Sequence, residues 1–166
     1  MASSFSPTKP SFYIFIKRMP EIIGREFPNF SNTMTKMIEA LTFNVELFKK
    51  DKDETELLIT IFELEGEPVA NLFNLLRYLF IISNGEENYF RDTIEEKFGI
   101  DMYLVKTVDG KIEDACKLNG LIVKSIDDEE IEHSGMAGVV CRKVKMITRH
   151  KHNLTKEEFD EIKKLM

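Results

Sequence analysis

The segment Val69–Ile82 constrains the fold most, because it reads as a helix that is apolar almost all round. A turn at Gly66 precedes it, and the proline that follows stands in the first helical turn, where proline is well tolerated. Its polar stripe consists of Asn71, Asn74 and Tyr78, spaced i, i+3 and i+7. Because most of such a helix must be covered, we predict that it is the central core element. The polar stripe could line a pocket, but we favour buried amides satisfied by neighbouring strands.

The length of 166 residues suits one domain. Residues 1–10 hold three serines and two prolines and predict a flexible N-terminal tail. The remainder, residues 11–166, alternates short β-favouring runs with amphipathic segments. We therefore predict a single α+β domain, in which a mixed or largely antiparallel sheet of five to seven strands packs with four to five helices.

Individual elements follow from periodicity and from turn residues. Strands are predicted at 12–16, 43–47, 57–64, 101–108, 121–126 and 139–149, with the second and third forming a hairpin. Helices are predicted after an N-cap at Ser31, through Glu86–Phe98, and after an N-cap at Thr155 that forms a capping box with Glu158. The segment 112–116 fits one short helical face, and the return strand of a hairpin is its alternative.

A charge reversal near the C-terminal end separates two blocks of opposite sign. The acidic run comprises Asp127, Asp128, Glu129, Glu130 and Glu132. The basic run comprises Arg142, Lys143, Lys145, Arg149 and Lys151, accompanied by His150 and His152 and by no acid. The two blocks carry −5 and +5 and cancel, so the rest of the chain carries the net charge of −6.

The basic run suggests a surface for a polyanion or for a partner. Residues two apart on a strand share a face, so Lys143, Lys145 and Arg149 should project together and could track a phosphate backbone. The run contains no aromatic residue on which bases could stack. An edge strand protected from aggregation by its lysines is the alternative interpretation, and we favour it.

The acidic run has three interpretations: a plain exposed loop, a docking surface for a basic partner, or an internal cover for the basic strand. Blocks of like charge repel one another and tend to remain mobile, so we predict a mobile loop. Gly135 and Gly138 lie between the two blocks and could act as a hinge, which would make the run a docking or gating loop.

Motifs for catalysis, cofactors and metals are missing from the sequence. It contains no glycine-rich phosphate loop, no Gly-x-Ser-x-Gly and no Cys-x-x-Cys. The scattered candidates for metal ligation are Cys116, His133, Cys141, His150 and His152. Their spacing does not match a structural zinc site. We predict no catalytic residue, no metal and no cofactor, and we favour a protein that is not an enzyme.

Two cysteines do not make a disulfide framework, and no secretory signal or membrane-spanning segment is predicted. We therefore expect an intracellular location, in the cytoplasm or nucleus. The favoured function is a non-enzymatic interaction or regulatory protein that acts on a protein partner through charged surfaces. Its frequent Phe, Ile, Lys and Met would suit an AT-rich genome such as that of many viruses. The alternative is a nucleic-acid-binding protein that uses the basic strand 142–152, gated by the acidic loop 127–132.

Overall fold

The computed structural model describes residues 11–26, 32–51, 53–84, 91–131 and 139–166. The seven strands within these ranges are β1 Ser11–Arg18, β2 Thr42–Lys49, β3 Thr55–Phe62, β4 Ile100–Val108, β5 Lys111–Ile131, β6 Val139–Thr148 and β7 His150–Asn153. The five helices are α1 Glu21–Glu26, α2 Asn32–Leu41, α3 Pro68–Asn84, α4 Arg91–Phe98 and α5 Lys156–Leu165. No described helix is long and apolar enough to cross a membrane.

The strands form one sheet in the order β1-β4-β5-β6-β3-β2, and β7 pairs with β5. Every pairing is antiparallel, which confirms the α+β class and the largely antiparallel sheet. The 21-residue strand β5 organises the arrangement. It pairs with β7 over 116–119, with β4 up to Leu121 and with β6 from Ile122 onward. Gly120, whose φ is +63°, lies just before this changeover.

Apolar side chains cover both faces of this sheet. The largest cluster joins residues of β1 to β6 with residues of α1, α2 and α3. On β4, Met102 and Leu104 belong to that cluster, whereas Tyr103 and Val105 pack against Ile162 of α5. Because successive strand residues point to opposite faces, α5 covers the face of β4 that the first cluster leaves uncovered.

Helix α3 is buried along one stripe and exposed along the other. Its buried residues are Val69, Ala70, Leu72, Phe73, Leu76 and Phe80. The polar stripe Asn71, Asn74 and Tyr78 lies in solvent, and Ile81 and Ile82 are also exposed. The prediction of buried asparagine amides is therefore wrong. One stripe at helical spacing is enough to fill the contact with the sheet, so the opposite stripe has no strand to meet.

The segment 112–116 belongs to β5, so the hairpin interpretation is correct and the helical one is wrong. Asp109 and Gly110 have φ values of +55° and +75°. Two successive residues at positive φ form the tight turn whose twist matches a β-hairpin. The chain therefore folds back directly after β4, and Val108 lies opposite Lys111.

The acidic run is not a loop where the structure describes it, which corrects that prediction. Asp127, Asp128, Glu129 and Glu130 continue β5 and pair with β6 as far as Ile131. Asp127 lies across the ladder from Lys143. Backbone pairing with β6 holds the run in a strand despite the like charges that predicted a mobile loop. Glu132 lies outside the described residues.

Other predicted elements are confirmed. The hairpin of β2 and β3 forms with Val45 opposite Ile59, and helix α3 begins at Pro68. Helix α5 begins at the N-cap Thr155 with a complete capping box. The tail 1–10, the predicted cap at Ser31, the hinge glycines and the start of the Glu86–Phe98 helix lie outside the described residues.

Candidate functional site

The first residue of the basic run, Arg142, lies in the interior. Its Nε donates to Oε2 of Glu63 over 2.8 Å, and the side chains of both residues are only 4% exposed. Its Nη2 donates to Oε1 of Glu67 over 2.9 Å. Arg142 belongs to β6, and Glu63 directly follows β3, the neighbouring strand. The guanidinium is therefore committed to an internal ion pair.

The same carboxylate caps helix α3. Glu63 accepts hydrogen bonds from the backbone N–H groups of Val69 and Ala70, at 3.1 and 2.9 Å, in the first turn of the helix. A negative charge at a helix N-terminus is favourable because the first N–H groups have no partner within the helix. Burial raises the pKa of the Glu63 carboxyl, but the hydrogen bonds from Arg142 and from backbone amides outweigh it and hold that pKa below its ordinary value.

Farther along β6, the lysines lie beside acids of neighbouring strands. Lys145 Nζ is 3.7 Å from Oε1 of Glu56 on β3. Lys143 is half-buried and lies across the ladder from Asp127, which is exposed. Lys145 and Lys143 therefore do not form a row of free cations. Because β6 lies between β5 and β3, the predicted edge strand is also wrong.

Arg149, between β6 and β7, belongs to a second charged cluster centred on helix α4. Its Nε donates to Oε1 of Glu95 over 2.8 Å, and its Nη2 donates to Oδ1 of Asp92 over 2.7 Å. His150 Nε2 lies 2.7 Å from Oε2 of Glu95, and Arg91 Nε donates to Glu95 over 2.9 Å. Glu95 itself is 4% exposed. One buried carboxylate thus joins three basic side chains.

Two glycines allow helix α4 to approach the bend of β5. A Cβ built on Gly99 would lie 2.3 Å from the carbonyl oxygen of Glu95 and 2.7 Å from the Cα of Gly120. A Cβ on Gly120 would lie 3.1 Å from that of Glu95. Side chains at these positions would push Glu95 away from Arg149, so the glycines help to place the cluster.

The electrostatics of the cluster favour a structural ion-pair network. Burial raises the pKa of the Glu95 carboxyl, but hydrogen bonds from Arg149 and His150 outweigh it and hold that pKa below its ordinary value. The hydrogen bonds and the nearby charge of Glu95 raise the pKa of Arg149. Each group thus stabilises the charged form of the other.

Asp92, Glu95 and His150 also form a set of three donors whose ligand atoms lie within 4.8 Å of one another. Carboxylate and imidazole donors are typical of zinc sites. Here Arg149 hydrogen-bonds to both carboxylates, and a metal would have to displace its guanidinium. The two carboxylates and the imidazole suit a cation, and in this structure the guanidinium of Arg149 is that cation.

A polar groove opens where Arg149 and Lys151 approach the hairpin of β2 and β3. It has a volume of about 450 Å³ and is lined by Leu47, Lys49, Asp53, Thr55, Arg149 and Lys151. The strand pairing explains the assembly, because Lys49 lies opposite Thr55 and Thr55 opposite Thr148, the residue before Arg149. Sequence reasoning singled out Arg149 and Lys151 but missed Lys49, since its proximity depends on the register of three strands.

An apolar surface lies on the outer face of α3. The side chains of Tyr78, Ile81 and Ile82 are 60%, 49% and 48% exposed. Their spacing places them on one face of the helix, with the exposed Arg77 beside them. Sequence reasoning assigned these residues to the interior, because periodicity alone did not show which side of an apolar helix meets the sheet.

Cys116 and Cys141 are both buried, as expected for small core residues. Burial raises the pKa of the Cys116 thiol, which keeps it protonated and unreactive.

No protein-family model matches the chain, and neither the search of curated proteins nor the search of solved structures finds a similar protein.

Proposed function

We propose that this chain is a non-enzymatic interaction protein that binds a protein partner through the outer face of α3. Tyr78, Ile81 and Ile82 carry the proposal, because each exposes about half or more of its side chain on one helix face. Contiguous exposed apolar side chains typically mark protein contacts, and aromatic residues are enriched there. The exposed Arg77 favours a partner whose apolar contact is bordered by carboxylates.

The opposite side of the helix supports this role. Phe73 and Leu76 are 1% exposed and belong to the largest core cluster, and Phe80 packs with Ile94 of α4. Helix α3 is therefore anchored along its length. A partner would meet a surface that is ordered before binding, which lowers the entropic cost of association.

Binding of nucleic acid through the basic run draws less support. Arg142 is buried against Glu63, Lys145 lies beside Glu56, and Arg149 bonds to Asp92 and Glu95. Cations that already face carboxylates of their own chain release few counterions when they meet a phosphate backbone. We also keep a reducing intracellular compartment as part of the proposal, because two cysteines in 166 residues do not make a disulfide framework.

Affinity purification from cells that naturally contain the protein, with and without nuclease, tests the proposal. The variant carries Tyr78→Ser, Ile81→Ser and Ile82→Ser, and the control carries Phe48→Ser, which removes a side chain that is 47% exposed on β2. We expect nuclease-resistant protein partners with the wild type and the control, and their loss with the α3 variant. Equal recovery with all three proteins would refute the assignment of this face.

A further inference from the structure

We infer that the groove lined by Lys49, Arg149 and Lys151 binds the phosphate group of an anionic ligand. The groove lies on the β2–β3 hairpin and the β6–β7 junction, and α3 contributes no residue to its lining. The inference therefore concerns a second site, independent of the proposed partner surface.

The charges of the lining residues carry the first step. Three cations and one carboxylate, Asp53, face a space of about 450 Å³ in a chain whose net charge is −6. Lys49 and Lys151 are exposed, and neither forms an ion pair with any residue that the structure describes. Lys49 and Lys151 differ in this respect from Arg142 and Lys145, whose charged groups lie beside carboxylates.

Arg149 contributes orientation. Its Nε and Nη2 are held by Glu95 and Asp92, so the planar guanidinium has a fixed position at the edge of the groove. These bonds leave its Nη1 for a ligand oxygen, within the contacts that the structure describes. A fixed guanidinium beside two exposed ammonium groups is a donor set that suits a phosphate, since phosphate accepts several charge-assisted hydrogen bonds at once.

Thr55 adds a neutral donor, and Asp53 opposes binding. The hydroxyl of Thr55 can donate to an oxygen of the ligand. The carboxylate of Asp53 repels an anion, as do the two carboxylates behind Arg149. The exposed ammonium groups of Lys49 and Lys151 outweigh this repulsion, because their charges have no ion-pair partner among the described residues. A ligand with two or more negative charges can contact both, and its affinity should fall steeply with salt.

Isothermal titration with pyrophosphate at about 50 mM and about 200 mM KCl tests the inference, because screening weakens such contacts. The test variant is Lys49→Gln with Lys151→Gln. The matched control is Lys163→Gln with Lys164→Gln, which removes the same charge from the exposed end of α5. Because all four lysines are exposed, both variants should fold, and circular dichroism checks this.

We expect saturable binding by the wild type and the control, and an affinity weaker by about tenfold or more in the test variant, because two charge-assisted contacts are lost. Asp53→Asn should strengthen binding. Absence of saturable binding at low salt, or equal weakening in the control, would overturn the inference.

A second titration identifies the source of the phosphate. A short single-stranded oligonucleotide without a terminal phosphate offers only phosphodiesters, whereas pyrophosphate offers a compact terminal anion. Binding of both with the same dependence on Lys49 and Lys151 would assign the groove to a nucleic-acid backbone. Binding of pyrophosphate alone would assign it to a terminal phosphate group.

Discussion

The guanidinium of Arg142 and the carboxylate of Glu63 form a buried ion pair, with 2.8 Å between Nε and Oε2 and 4% exposure of each side chain. This pair ties β6 to the end of β3, and it also holds the carboxylate that caps α3. A residue that the sequence presents as part of a binding surface thus joins two strands and a helix.

Removing one partner of that pair should destabilise the protein strongly. Arg142→Met leaves the Glu63 carboxylate buried without its guanidinium partner, and we expect a loss of ~3–5 kcal/mol in the free energy of unfolding. Lys145→Met on the same strand, whose side chain is 42% exposed, should change that free energy by no more than ~1 kcal/mol. Urea denaturation measures both, and equal effects of the two variants would contradict this role of Arg142.

Stability should depend on pH through Glu63 and Glu95. Both carboxyls have a folded-state pKa below the ordinary value of 4.5. Their contribution is therefore fully present above that value and is lost as the pH falls through the lower folded-state pKa. We expect the unfolding free energy to decrease below pH 4.5, and to decrease less in Glu63→Gln. Parallel pH profiles for wild type and variant, from urea denaturation, would argue against the linkage.

The two sides of α3 should respond differently to truncation. Leu76→Ala removes a side chain that is 1% exposed and should cost ~2–5 kcal/mol through lost burial and a cavity. Ile81→Ala removes a side chain that is 49% exposed and should change stability by only ~0.5 kcal/mol. Thermal denaturation compares the melting temperatures of the two variants. A Leu76→Ala protein with the melting temperature of the wild type would contradict the burial of this side of α3.

The capping box of α5 should contribute measurably to stability. Glu158 N–H donates to Oγ1 of Thr155, and the Thr155 N–H donates to Oε1 of Glu158. Thr155→Ala should lower the unfolding free energy by ~1 kcal/mol, whereas Thr155→Ser keeps the hydroxyl and should retain most of it. Protease cleavage within 156–165 of the intact wild-type protein would indicate that the helix is not part of the fold.

Zinc should not bind the wild-type cluster of Asp92, Glu95 and His150. The guanidinium of Arg149 already hydrogen-bonds to both carboxylates and occupies the position of a metal, so EDTA should leave the melting temperature unchanged. Arg149→Met removes that cation and should let zinc raise the melting temperature. Stoichiometric zinc in purified wild-type protein would overturn this interpretation.

The sequence was sufficient where structure depends on neighbouring residues. The capping box at Thr155, the proline start of α3 and the hairpin of β2 and β3 are all set within a few residues, and all three predictions are confirmed. Local propensity also left the segment 112–116 open between helix and strand, and the turn at Asp109 decided it. The Asp109-Gly110 dipeptide is typical of such a turn, so the sequence did contain the signal that favours the hairpin over the helix.

The candidate sites depended on contacts that local patterns do not encode. Arg142 and Glu63 are 79 residues apart, and Arg149 and Glu95 are 54 residues apart. Charge runs predicted the composition of a surface but not which acids would face it. The like charges of the acidic run predict a loop, whereas backbone pairing with β6 holds the run in a strand.

Site-specific photo-cross-linking at Ile82 tests the proposed partner surface most directly. A photoreactive phenylalanine analogue replaces Ile82, and in the control it replaces Leu165, which is 52% exposed on α5. Irradiation is performed in cells that naturally contain the protein, followed by nuclease treatment. The account predicts a discrete protein adduct from position 82 that is absent from position 165 and is lost when Tyr78→Asp and Ile81→Asp are added. No adduct at position 82, or the same adducts at both positions, would contradict it.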